Sequence, residues 1–114
     1  MKDEFENISA KIYTVSELTE IIAPIAKRFG LCGVYLFGSY AEGCAKPDSD
    51  VDLHIDSQFE TLLEYQNVVD ALEDALGKHA DIITTAGLER RMARRSTRRF
   101  YENIKKYEIK IYEA

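Results

Sequence analysis

The stretch Asp50-Val-Asp-Leu-His-Ile-Asp56 constrains this chain more than any other. Its strict alternation is a period of two, which predicts a β-strand with Val51, Leu53 and Ile55 on a buried face and Asp50, Asp52, His54 and Asp56 on the other. Two carboxylates at i and i+2 then share a face with Cα atoms about 6.5 Å apart. At an effective dielectric near 20 their repulsion is on the order of 2.5 kcal/mol. A chain that keeps both needs something to offset that cost, and a hard divalent cation such as Mg²⁺ does so while leaving positions open for phosphate oxygens. Asp81, in the middle of a further apolar run, supplies a third carboxylate if the two strands are neighbours.

The flanking pattern predicts a single α/β domain spanning residues 1–114. Thr14-x-x-Glu17 forms a capping box, followed by Leu18, Ile22, Ile25 and Phe29 at helical spacing and a stop at Gly30. Pro24 removes a backbone donor within that helix, so a kink or break is expected near Ile22–Ala23. Leu31 to Phe37 reads as a buried strand closed by Gly38-Ser39, with Cys32 in the core and a polar loop following. Ser57-x-x-Glu60 reads as a second capping box, before a helix with Leu62, Tyr65, Val69, Leu72 and Leu76 on its apolar face and Gly77 at its end. His79 to Thr84 reads as a strand broken by Gly87, residues 88–106 as helix, and Glu108 to Tyr112 as a last strand at an edge. The sum is a mixed sheet of about four strands, with helices mainly on one face and the carboxylates on the other.

Charge and cysteine usage narrow the class. The net charge of −5 splits into +6 for residues 88–106 and −11 for the remainder, which argues against general nucleic-acid binding and for a cation site in the acidic body. Arg90/Arg91, Arg94/Arg95 and Arg98/Arg99 recur every four residues, a positive stripe on a helix suited to docking a protein or anionic partner, or simply a solvated face. Two cysteines, without metal-ligand spacing, exclude a disulfide scaffold or zinc cage, and Cys44 has no neighbour that would activate it. The first seven residues are polar, and no apolar run reaches a membrane span, so the expected location is the cytoplasm, with no membrane partner. His54 and His79 share faces with Asp52 and Asp81, where a structural role is the default.

An isolated Asp-x-Asp describes a solvated sheet face. Here it follows Gly38-Ser39 by ten residues, at a strand end where glycine lets backbone approach a ligand and exposed N–H groups can hold phosphate. Leu36-Phe-Gly-Ser-Tyr-Ala-Glu-Gly43 and Lys46-Pro-Asp-Ser-Asp-Val-Asp-Leu53 together resemble the Gly-Ser-x10-Asp-x-Asp signature of the minimal nucleotidyltransferases (MNT) of the DNA polymerase β-like superfamily. The resemblance extends over nearly the whole chain, including the later strand Asp and the closing Phe100, Ile104 and Ile111-Tyr112-Glu113.

That resemblance implies a polymerase β-like core, ATP as co-substrate and Mg²⁺ held by Asp50, Asp52 and Asp81. It also implies Asp81 as base, and Gly38 and Ser39 as triphosphate holders. It further implies an antitoxin that transfers AMP to a hydroxyl, tyrosine by expectation, of a HEPN-type toxin. A homo-oligomer, or a hetero-oligomer with the toxin, is left open. The alternative is a non-catalytic module that neutralises its partner by direct complex formation. One position departs from the pattern. Members commonly carry Arg where this chain has Glu42, an anion that should weaken nucleotide binding unless another residue compensates.

Overall fold

The computed structural model describes residues 11–114, so the N-terminal residues 1–10 and the polar segment noted there lie outside the described region. Helix α1 (Val15–Arg28) is followed by strand β1 (Gly33–Phe37), a short helix α2 (Gly38–Glu42) and strand β2 (Val51–Asp56). Helix α3 (Leu62–Leu76), strand β3 (Ala80–Thr84), helices α4 (Thr85–Met92) and α5 (Arg98–Tyr107), and strand β4 (Ile109–Glu113) complete the chain. The strands form one mixed sheet in the order β3-β2-β1-β4. β1 runs antiparallel to both β2 and β4, while β2 and β3 are parallel, as the intervening α3 crossover permits.

The alternation in β2 does what its period requires. Val51, Leu53 and Ile55 are fully buried and join Val34 and Leu36 of β1 and Ile111 of β4. Against that face pack Leu18, Ile22, Ile25 and Ala26 of α1 and Val68, Leu72 and Leu76 of α3. The opposite face of the sheet carries Asp52, Asp81 and His54, and α4 and α5 lie beside it. Lys110 stands exposed on the edge strand β4, paired with Glu113.

Several local expectations are corrected. α1 runs unbroken through Pro24, because Leu18, Ile22, Ile25 and Ala26 are buried on either side of it and their packing outweighs one missing donor. Cys32 is exposed, since β1 begins one residue later, at Gly33. The segment after Phe37 is a turn of helix rather than wholly loop. The capping box of α3 is Thr61 with Glu64, not Ser57 with Glu60: the Thr61 hydroxyl accepts from Glu64 N at 3.1 Å and the Glu64 carboxylate accepts from Thr61 N at 3.0 Å. Leu62, in the first turn, is exposed, and packing against the sheet puts Val68, not Val69, in the core. Gly87 does not end β3. The strand stops because the Thr84 hydroxyl accepts from Gly87 N and caps α4. Finally, residues 88–106 form two helices, so the arginine pairs do not make one continuous stripe. Among the described residues, no helix is long and apolar enough to cross a membrane.

Candidate active site

The site is built at the junction of three strands. In the β1–β2 ladder Phe37 stands opposite Asp52, and in the parallel β2–β3 ladder Asp52 stands opposite Asp81. Opposed residues share a face and have side chains in reach of one another, so the expected neighbourhood of Asp52 and Asp81 is a consequence of strand order. Directly after Phe37 the chain turns through Gly38 at φ +75° into α2. Glycine is needed there twice over. The left-handed φ disfavours any side chain, and a Cβ would lie 2.0 Å from Asp52 Oδ2. The Gly38 backbone and the Asp52 carboxylate are thus pressed together.

Electrostatics report the same crowding. The pKa of Asp52 is pushed up to about 6, first by burial, then by the charges of Asp81 and Asp50, against a smaller opposing influence from His79. Among the described residues none of the three carboxylates has a hydrogen-bond or ion-pair partner. Lys78 acts on Asp50 and His79 on Asp52 to counter part of this repulsion, yet the Asp52 pKa stays raised, a demand that a divalent ion would meet. The carboxylates do not form a closed cage: among the described residues no three ligand-type side chains are gathered tightly enough to surround an ion. An open carboxylate pair with a third acid beside it fits Mg²⁺, which takes one or two carboxylates and fills its remaining positions with water and substrate phosphate.

A cleft of about 970 Å³ opens over Asp52 and Asp81. Gly38, Ala41 and Glu42 form one wall, and Arg91 of α4 with Phe100, Tyr101, Asn103, Ile104 and Tyr107 of α5 form the other. Asp50, exposed one residue before β2, and Ser39, half-buried one residue into α2, flank this cleft without lining it. The α5 wall was missed at the sequence level. Its signal was present in Phe100, Asn103, Ile104 and Tyr107, which follow the i, i+3, i+4, i+7 spacing of a helix face.

Neither histidine lines the cleft. His54 is buried, donates from Nδ1 to Glu108 Oε1 at 2.7 Å, and is hydrogen-bonded through Nε2 to the Thr85 hydroxyl at 2.8 Å. It stacks on Tyr35 and ties β2 to α4 and to the residue before β4. His79 pairs with Glu73 at 2.8 Å near the surface.

Comparison with known proteins agrees with this geometry. The nucleotidyltransferase domain family matches residues 18–111. The chain is similar to protein adenylyltransferase MntA of Thermococcus cleftensis, 33% identical over 86 residues, covering 71% of this chain and 87% of that one. It is 29% identical over 90 residues to a Methanocaldococcus jannaschii protein, MJ1379, provisionally named a protein adenylyltransferase, covering 73% of this chain and 90% of that one. A solved structure described, again provisionally, as a minimal nucleotidyltransferase superposes with a TM-score of 0.65 at 31% identity, over 85% of this chain and 95% of that one. With the family spanning most of its length and the same fold in a relative, this chain belongs to the minimal nucleotidyltransferases and is a nucleotidyltransferase enzyme.

Proposed function

We propose that the protein transfers AMP from MgATP to a tyrosine hydroxyl of a HEPN-type toxin and acts as its antitoxin. The observation that carries the chemistry is the register pairing of Asp52 with Asp81 against the Gly38 backbone. Relatives named protein adenylyltransferases support a protein acceptor.

In this reading Asp50, Asp52 and Asp81 are the residues that hold Mg²⁺, and Gly38 and Ser39 hold the triphosphate. Bound Mg²⁺ would neutralise charge on the phosphates and orient the α-phosphate for displacement. The acceptor hydroxyl oxygen forms a bond to the α-phosphorus, the α–β phosphoanhydride bond breaks, and pyrophosphate leaves. Asp81, the more exposed of the register pair, takes the hydroxyl proton. Asp52 is held in place by Gly38 and by both neighbouring strands, so its contribution is fixed geometry. The cleft walls exclude part of the solvent from the phosphates, where oriented charges act more strongly than in water.

A binding-only antitoxin is the second reading, favoured by Glu42, an anion in the cleft wall where phosphates would lie. α-³²P-labelled ATP distinguishes the two. Transfer of label to the co-purified partner, abolished in Asp50→Asn with Asp52→Asn, is the expected result. If that double variant still neutralises the toxin and the wild type transfers no label, masking of the partner is the function.

A further inference from the structure

The charges lining the cleft are unequal. Glu42, Asp52 and Asp81 are anions, and Arg91 is the one cation on its walls among the described residues. Arg91 sits in the last turn of α4, and its side chain crosses to α5. Nη1 donates to the Tyr101 hydroxyl at 3.0 Å, and the guanidinium carbon lies 5.6 Å from the centre of the Tyr101 ring. Its backbone is held too. The Arg91 carbonyl accepts from the Thr97 hydroxyl at 2.8 Å, and Arg98 Nε donates to the neighbouring Met92 carbonyl at 3.0 Å, so the α4–α5 turn folds around this position. Arg90, Arg94, Arg95 and Arg99 do not line the cleft, and among the described residues none has such a side-chain contact.

A guanidinium has five donors in a planar fork. Tyr101 engages one of them through its hydroxyl and holds the group beside its ring, leaving the others for a planar or tetrahedral oxyanion. The charged groups elsewhere on the lining, Glu42, Asp52 and Asp81, are all acidic, so a polyphosphate entering with its metal still needs a counter-charge on the α4–α5 side. We infer that Arg91, positioned by Tyr101, binds the polyphosphate of the incoming nucleotide across the cleft from Asp52 and Asp81. This rests on the nucleotide-transfer reading above and adds to it a second phosphate-binding wall outside the Gly38-Ser39 turn. Tyr101 is a positioning residue, acting through the guanidinium. Glu42 opposes the same ligand from the facing wall.

Affinities for MgATP and for adenosine, measured by competition against a fluorescent ATP analogue, test this. Removing a charge-assisted hydrogen-bonding group predicts that Arg91→Ala weakens MgATP roughly tenfold or more and leaves adenosine unchanged, because adenosine carries no phosphate. Arg91→Lys recovers part of the loss. Tyr101→Ala raises KM for ATP with little change in kcat, Tyr101→Phe does so less, and Glu42→Gln tightens MgATP. If Arg91→Ala only lowers the melting temperature, with MgATP affinity intact, Arg91 is a clamp between two helices and the inference is overturned. Equal losses for MgATP and adenosine overturn it as well. A wild type that binds no MgATP removes both this inference and the transfer reading. A wild type that binds and transfers, beside an Arg91→Ala variant indistinguishable from it, removes this inference alone.

Discussion

At the scale of single residues, Gly38 and Asp52 form one unit. A methyl group at position 38 would have to occupy the space of the Asp52 carboxylate, so Gly38→Ala must swing that carboxylate away and adopt an unfavourable φ. The expected cost is about 1–2 kcal/mol of stability, read from urea unfolding, and most of the transfer activity. Because part of the damage passes through Asp52, Gly38→Ala with Asp52→Asn should cost less activity than their separate effects combined; full additivity would show that the two act separately. The raised pKa of Asp52 gives a second outcome. Its folded pKa of about 6 lies above the value of 3.8 expected when exposed, so the folded state holds its proton more tightly. Stability from this group is therefore complete below about pH 3.8 and is lost as pH rises through about 6. Asp52→Asn should then be more stable than wild type at pH 8, by about 1 kcal/mol after allowance for solvent screening, and equal to it near pH 3.5. Denaturant midpoints across that range measure the difference, and a constant offset would contradict the assignment.

At the scale of elements, the comparison of α1 with α3 shows what local sequence decides. Thr14 and Glu17 exchange both hydrogen bonds of a capping box, and the helix starts where the motif says. Ser57 and Glu60 have the same spacing, but Thr61 and Glu64 four residues later make the bonds, and Val68, Leu72 and Leu76 of the helix they start lie together in the core. Thr61→Ala should therefore cost about 1 kcal/mol in chemical denaturation and Ser57→Ala almost nothing. The reverse ranking would restore the earlier start. The apolar periodicity of α3 was legible, whereas its start and the burial of Val68 rather than Val69 were not, since two boxes of the same spacing compete and packing against the sheet selects the buried residues. The break between α4 and α5 was likewise illegible: Thr97 and Arg98 close the turn with hydrogen bonds to the carbonyls of Arg91 and Met92, and no glycine or proline marks it.

At the scale of the whole molecule, the sheet order brings the separated acids Asp52 and Asp81 side by side. Saturating MgATP should raise the melting temperature by about 10 °C at 100-fold excess over Kd, since a ligand of the folded state stabilises it by mass action. Asp50→Asn with Asp52→Asn should lose most of that shift in differential scanning fluorimetry. A wild type without any shift would deny the cleft a nucleotide. What the amino-acid order determined by itself was the alternating acidic strand, the apolar face of α1, the Gly-Ser turn and, through them, the family. What the tertiary structure decided was adjacency. Asp52 faces Asp81 because β3 returns parallel beside β2 after α3, and Arg91 faces both because α4 and α5 fold back beside the sheet. Periodicity is set by bond geometry within a few residues, but contact across about 30 or 40 residues depends on which strands and helices bury their apolar faces together, and that is a property of the folded whole.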